Sequence, residues 1–88
     1  MEKQVYNYTQ LFNNFSENLK SKRKQLGLTQ KELAEIVGIT PKTIQNYEKK
    51  KTIPTPALME EISTALNVSF EEMIDNSELN NKVISAEI

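Results

Sequence analysis

Apolar residues in the middle of the chain recur every three or four positions, which is the spacing of one face of an α-helix. Between residues 30 and 37 this face consists of Leu33, Ala34 and Val37, with Ile36 at its margin. Thr29 precedes the run and Glu32 follows three residues later, a pattern typical of a capping box. Gly38 can adopt the left-handed backbone conformation that ends a helix. The pattern therefore predicts a short helix over 30–37.

A second short helix is predicted immediately afterwards. Thr40 is a good N-cap, and Pro41 suits the first helical position, where no amide donor is needed. Ile44 and Tyr47 then face the core, and the residues left facing outward are Lys42, Thr43, Gln45 and Asn46. Only residues 38–40 separate the two helices. This arrangement is typical of a helix-turn-helix, whose second helix can enter the major groove of duplex DNA.

One helix is predicted before this motif, beginning at Asn14 as its N-cap and ending at Gly27. Its apolar stripe consists of Phe15, Leu19 and Leu26. Residues 1–14 form an N-terminal extension in which Val5, Tyr8, Leu11 and Phe12 fall at roughly helical spacing. This extension could form an extra helix packed on the domain. The alternative is an exposed stripe that binds a partner protein.

Two more helices are predicted after the motif. Thr55 caps the first of them, Pro56 takes its first position, and Asn67 ends it. Its apolar face consists of Leu58, Met59, Ile62, Ala65 and Leu66. Ser69 and Glu72 form another capping box before a fifth helix, whose inward residues are Phe70, Met73 and Ile74. The predicted fold is therefore all-α, a compact domain of five helices in which the second and third form the helix-turn-helix.

The net charge of −1 conceals a strong asymmetry along the chain. Residues 20–51 hold nine basic and three acidic residues, whereas residues 52–88 hold seven acidic residues and one lysine. The basic half contains the predicted helix-turn-helix, which favours nucleic acid as its partner. The alternative is that these charges are simply solvated.

The chain contains no cysteine and no histidine. It therefore has no thiolate for a metal site or a disulfide, and it lacks the commonest general base. No glycine-rich phosphate loop is present either, so we expect no catalysis, no metal and no cofactor. No apolar run approaches the roughly 20 residues of a membrane span, and no signal-peptide core is evident. We therefore expect a cytoplasmic protein.

The segment from Phe15 to Ile74 resembles the helix-turn-helix domain of the lambdoid phage repressor and Cro-like (Xre-type) family. The matching stretches are LKSKRKQLGLTQKELAEIVGIT, TIQNYEKKK and PTPALMEEISTALNVSFEEMI. The resemblance implies a DNA-binding domain over 15–75 and a sequence-specific regulator of transcription, a repressor that binds a pseudo-palindromic operator as a homodimer. Dimerisation is also a physical expectation, because one such domain buries too little interface to be very selective alone.

The resemblance further implies that positions of the third helix read base edges: Pro41, Lys42, Thr43, Gln45 and Asn46. A side-chain amide can form two hydrogen bonds with adenine, and lysine can donate to guanine. Pro41 has no polar side-chain atom, so it can contribute only apolar contact or shape. The alternative for the polar members of this set is that they are merely solvated.

Phosphate contacts are expected from Gln30, Arg23, Thr40, Lys49, Lys50 and Lys51. Gln30 lies at the start of the second helix, where free backbone amides favour an anion, whereas the capping role of Thr40 would alone explain that residue. Lys50 stands where the family commonly has glycine. A left-handed lysine costs roughly 1–2 kcal/mol, so the loop could instead follow another path.

The resemblance also pairs Arg23 with Glu48, an ion pair that would fix the third helix and offer Arg23 to a phosphate. As an exposed pair it would contribute on the order of 0–1 kcal/mol. The alternative is two unrelated surface charges.

Residues 76–88 form a C-terminal tail outside the resemblance. The alternation of Ile84, Ala86 and Ile88 weakly favours a strand that pairs in a dimer or binds a partner, although a frayed terminus is the commoner outcome. The alternative function that these ends suggest is an antitoxin. Such a protein would bind a partner protein through its termini and regulate its own synthesis through the same DNA-binding domain.

Overall fold

A computed structural model describes residues 8–75, and these form five α-helices without a strand. The helices are α1 (Tyr8–Gln25), α2 (Gln30–Val37), α3 (Pro41–Glu48), α4 (Pro56–Ala65) and α5 (Phe70–Ile74). The predicted all-α, five-helix fold is confirmed. The predictions for residues 1–7 and for the tail at 76–88 lie outside the described residues.

Four of the five helices begin where the sequence pattern places their caps. The hydroxyls of Thr29, Thr40, Thr55 and Ser69 each accept a hydrogen bond from the backbone N–H three residues later. The capping boxes of α2 and α5 are complete, since the glutamates at their third positions accept the cap's own N–H. Gly38 ends α2 in the left-handed conformation with φ 88°, as predicted, and Asn67 follows α4 with φ 63°. These local signals set the start and the end of α2 and the start of α3.

The prediction that the first helix begins at Asn14 is wrong. The structure has α1 already formed from Tyr8, so residues 8–14 are its first turns and not a separate helix. Asn14 points instead at the end of α5, where its side-chain amide donates to the carbonyl oxygen of Ile74 at 2.9 Å. Phe12 is buried in the core and Leu11 packs against the core. These two side chains therefore do not belong to an exposed stripe that could bind a partner protein.

The core is one cluster to which all five helices contribute. Its buried apolar residues are Phe12, Phe15, Leu19, Leu33, Ala34, Ile44, Tyr47, Met59, Ile62, Leu66 and Met73. The expectation that Leu26 continues the stripe of α1 is wrong, because α1 ends at Gln25 and the Leu26 residue is 52% exposed. Within this arrangement α3 packs against α2 and α1, and α4 packs against α2, α5 and α1.

Candidate nucleic-acid interface

The helix α3 is anchored by two side chains and exposes the rest. Ile44 and Tyr47 lie three residues apart and are both buried, which turns this face toward the core. Thr40, Pro41 and Lys42 are exposed, whereas Thr43, Gln45 and Asn46 are half-buried at the domain surface. All five positions predicted to read bases therefore keep part of their surface accessible on one short helix.

Some polar groups on this surface already form hydrogen bonds within the domain, and others do not. The hydroxyls of Thr40 and Thr43 share a hydrogen bond of 2.8 Å, and the Thr40 oxygen also accepts the N–H of Thr43 at 3.1 Å. In the described part of the chain, Lys42, Gln45 and Asn46 form no side-chain hydrogen bond or ion pair. Their donors and acceptors are thus available to an external partner, while the threonine hydroxyls have an established structural role.

Behind this surface, the carboxylate of Glu48 is the acceptor for two side chains from other helices. Arg23 Nε donates to Glu48 Oε2 at 2.6 Å, Arg23 Nη2 donates to Oε1 at 3.1 Å, and Gln30 Nε2 donates to the same Oε1 at 3.0 Å. Arg23 Nη1 donates to the carbonyl oxygen of Leu28 at 2.7 Å. This network joins α1, the start of α2 and the end of α3.

The surface exposure assumed for the Arg23–Glu48 pair is wrong. The two side chains are only 9% and 4% exposed, so the pair is buried and both partners are engaged by protein groups. The predicted pairing of Arg23 with Glu48 is present, which does not fit the alternative of two unrelated surface charges. A contact of Arg23 with a phosphate stays a prediction. The contacts of Arg23 are those of a residue that positions α3 against α1.

The loop after α3 follows the path for which glycine is usually required. Lys50 has φ 64°, and the N–H groups of Lys50 and Lys51 donate to the carbonyls of Tyr47 and Asn46. Such bonds satisfy the last carbonyls of a helix, so the loop keeps the left-handed turn despite the lysine. Lys50 Nζ lies 3.1 Å from Glu17 Oε2 in an exposed ion pair. Lys49 and Lys51 are exposed and form no ion pair with any described residue.

Three polar residues of α1 bind the ends of other helices, a role that no pattern in the sequence predicts for them. Ser16 Oγ donates to the carbonyl of Tyr47 at 2.7 Å, at the end of α3. Asn14 and Asn18 donate to carbonyls at the end of α5, including that of Met73 at 2.8 Å. The sequence separation between the bonded residues is 31 for Ser16, 60 for Asn14 and 55 for Asn18. No local pattern could have identified them.

The charges facing solvent follow the asymmetry of the sequence. The loop after α3 and the start of α3 expose Lys42, Lys49 and Lys51, whereas α4 and α5 expose Glu60, Glu61, Glu71 and Glu72. Burial raises the pKa of the Tyr47 phenol above its usual value, so this anchor of α3 stays neutral.

Between residues 8 and 75 no cluster of three or more acidic side chains could hold a metal ion, and no helix there is long and apolar enough to cross a bilayer.

Comparison with known proteins places this geometry in a family. A helix-turn-helix family model matches residues 19–73. A helix-turn-helix-type transcriptional regulator of Methanothermobacter thermautotrophicus is 48% identical over 48 residues, which cover 54% of this chain and 70% of the relative. The regulator YqaE of Bacillus subtilis is 40% identical over 73 residues, 83% of this chain and 62% of YqaE. The antitoxin PezA of Streptococcus pneumoniae is 34% identical over 71 residues, 81% of this chain but only 45% of PezA.

Solved structures share the fold. The P22 c2 repressor, crystallised in complex with a synthetic operator, superimposes with a TM-score of 0.63 at 27% identity, covering 67% of this chain and 89% of that one. The transcription factor NHTF from Neisseria shows the same fold with a TM-score of 0.76 at 19% identity, over 94% of this chain and 95% of that one. The matched residues extend from α1 to α5, and the chain belongs to the helix-turn-helix family of phage-repressor and Cro-type regulators.

Proposed function

We propose that this protein is a sequence-specific regulator of transcription that binds duplex DNA with α3 in the major groove. The proposal rests mainly on one observation, the accessible and unpartnered polar groups of Lys42, Gln45 and Asn46. These side chains lie on a helix held by two buried anchors, and their polar groups have no partner in the described domain. The structural similarity to the P22 c2 repressor, which was solved in complex with a synthetic operator, supports duplex DNA as the partner.

Base reading falls to the accessible residues of α3 and phosphate binding to the groups around it. Gln45 and Asn46 can each pair with adenine, Lys42 can donate to guanine, and Thr43 and Pro41 can contact a thymine methyl. Lys49 and Lys51 are the exposed, unpaired cations best suited to phosphates, and Thr40 and Gln30 lie at helix N-termini, where anions are favoured. We assign Lys50 a weaker phosphate contact because its ammonium group already pairs with Glu17.

We further propose a homodimer that acts as a repressor on a pseudo-palindromic operator. Two copies would place their α3 helices in successive major grooves, with half-sites about 34 Å apart. With about four phosphate contacts per subunit, the logarithm of affinity should fall against the logarithm of salt concentration with a slope near −7. Such a regulator acts where the DNA is, in the cytoplasm, and the proposal assigns it no catalytic step.

The first experiment is selection of binding sites from randomised duplexes, which returns the preferred sequence, its symmetry and its spacing together. The affinity of Gln45→Ala and Asn46→Ala for the selected duplex and for single-base variants then assigns positions to residues. We expect each substitution to cost about 1–3 kcal/mol and to abolish discrimination at one or two base pairs.

Thr64→Ala is the matched control, because Thr64 is an exposed polar residue on α4, away from the proposed interface. Its affinity and base preference should equal those of the parent chain. If the parent chain shows no preference among duplex sequences at low salt, the proposed function is wrong.

The similarity to PezA favours an antitoxin as the second candidate. An antitoxin would bind DNA through the same surface, so DNA affinity alone does not distinguish the two functions. Isolation of the protein from its native host tests the difference. A second small protein recovered in fixed stoichiometry, toxic when made alone and harmless with this chain, would favour the antitoxin.

A further inference from the structure

Ser16 lies at a contact between α1 and the end of α3 that neither the family match nor the sequence pattern assigns. The residue is fully buried. Its hydroxyl donates to the carbonyl oxygen of Tyr47 at 2.7 Å and lies 3.2 Å from that of Glu48. One hydroxyl therefore donates to the last two carbonyls of α3. The serine is separated from these two residues by 31 and 32 positions in the sequence.

The end of α3 depends on such support because its own cap is costly. The last carbonyls of a helix lack partners within the helix, and here the N–H groups of the following lysines supply some of them through a left-handed Lys50. Ser16 adds a donor that needs no unfavourable backbone conformation. It also contacts the backbone of Tyr47, whose side chain lies in the core, and that of Glu48, whose carboxylate pairs with Arg23.

We propose that Ser16 is a positioning residue for DNA binding, which holds the C-terminal half of the recognition helix α3 in its binding geometry before DNA arrives. Gln45 and Asn46 immediately precede the two carbonyls, and Lys49 and Lys51 follow them. Without the hydroxyl, the last turn of α3 frays in the free protein, and DNA binding must order it again, which lowers affinity. The inference rests on the proposed function, because it concerns the same surface.

The chain supplies a closely matched control. Ser63 is also a buried helical serine, and its hydroxyl donates to a carbonyl at the same 2.7 Å, but this carbonyl belongs to Met59 in its own helix α4. Ser16→Ala and Ser63→Ala therefore remove the same group from equally buried sites, and only the first removes a bond to α3. Both variants should fold, since alanine favours helix and nothing larger is introduced.

The test measures affinity for the selected duplex at a temperature where circular dichroism shows all three proteins fully folded. We expect Ser16→Ala to bind about five- to tenfold more weakly, which corresponds to one lost hydrogen bond, with an unchanged salt slope because no charge is removed. Ser63→Ala should bind as the parent chain does. Equal affinity of Ser16→Ala and the parent, or equal losses in both variants, would overturn the proposal.

Amide hydrogen exchange tests the same inference without DNA. In Ser16→Ala the N–H groups of Lys49, Lys50 and Lys51, which donate to carbonyls of α3, should exchange faster than in the parent chain, and in Ser63→Ala they should not. Unchanged exchange in Ser16→Ala refutes the role of Ser16 whatever the DNA result. A parent chain without sequence preference refutes the proposed function, and the exchange rates then still decide whether Ser16 holds α3.

Discussion

Replacing Arg23 with alanine should remove a large part of the stability of this domain. The substitution takes away three donors at once, two to Glu48 and one to the carbonyl of Leu28. It leaves the Glu48 carboxylate, whose side chain is 4% exposed, with Gln30 as its remaining side-chain partner. A buried charge without its counter-charge is strongly unfavourable because neither water nor an opposite charge compensates it.

The size of this loss in the free energy of unfolding follows from the burial of the Arg23–Glu48 pair. Breaking a buried pair from one side costs about 3–5 kcal/mol, whereas a chain of 88 residues has a total stability of roughly 4–13 kcal/mol. A domain of this size loses about 4–8 °C in Tm for each kcal/mol, so Arg23→Ala should lower Tm by at least about 12 °C.

Urea unfolding of Arg23→Ala, Glu48→Gln and the double variant measures these free energies. Glu48→Gln alone should destabilise, because it leaves the buried Arg23 cation without its counter-charge. In the Arg23→Ala background the same change should stabilise, because it removes the stranded negative charge and keeps an acceptor for Gln30. Glu17→Ala is the control, since its pair with Lys50 is exposed and should contribute about 0–1 kcal/mol.

Two results would refute this reasoning. An Arg23→Ala loss no larger than that of Glu17→Ala would mean that the pair behaves as a surface pair. Simple additivity of the two substitutions would mean that Glu48 is not left stranded by the loss of Arg23.

Two further predictions concern the residues on either side of Glu48. Lys50→Gly should raise the free energy of unfolding by up to about 1 kcal/mol in urea, because relief of the left-handed strain outweighs loss of the exposed ion pair; a loss of stability would show that Lys50 is unstrained. Burial raises the folded-state pKa of Tyr47 above 10.0. The contribution of the neutral phenol to the free energy of unfolding is therefore complete below about pH 10 and is lost as pH rises through the folded pKa. Tyr47→Phe should therefore show a smaller fall in unfolding free energy between about pH 9 and 11 than the parent chain, and identical pH profiles would contradict the assignment.

Where a few neighbouring residues carry the signal, the sequence was sufficient to predict the structure. Thr29, Thr40, Thr55 and Ser69 cap their helices as expected, and Gly38 ends α2 as expected, because capping depends on contacts within one turn. The same locality explains the error at Asn14. An asparagine three residues before a glutamate has the form of a cap, but the apolar period of α1 already runs through Phe12, and the helix continues across the site.

The candidate site was predictable in its positions but not in its environment. The outward residues of α3 follow from its period, whereas the burial of Arg23 depends on the closure of α1 over the end of α3. The role of Ser16 depends on the same closure and was not foreseen. Lys50 shows a third case, in which a left-handed turn that glycine adopts without strain is formed by a lysine.

The bonds from Asn14 and Asn18 to the end of α5 have a consequence for how the protein is made. During translation α1 is synthesised well before α5, so Phe12 and Phe15 emerge earlier than Met73, with which they share the buried core, and earlier than the carbonyls that these asparagines contact. Until α5 emerges, the nascent chain therefore lacks one of the helices that form this core, and a polypeptide truncated before residue 70 cannot complete it.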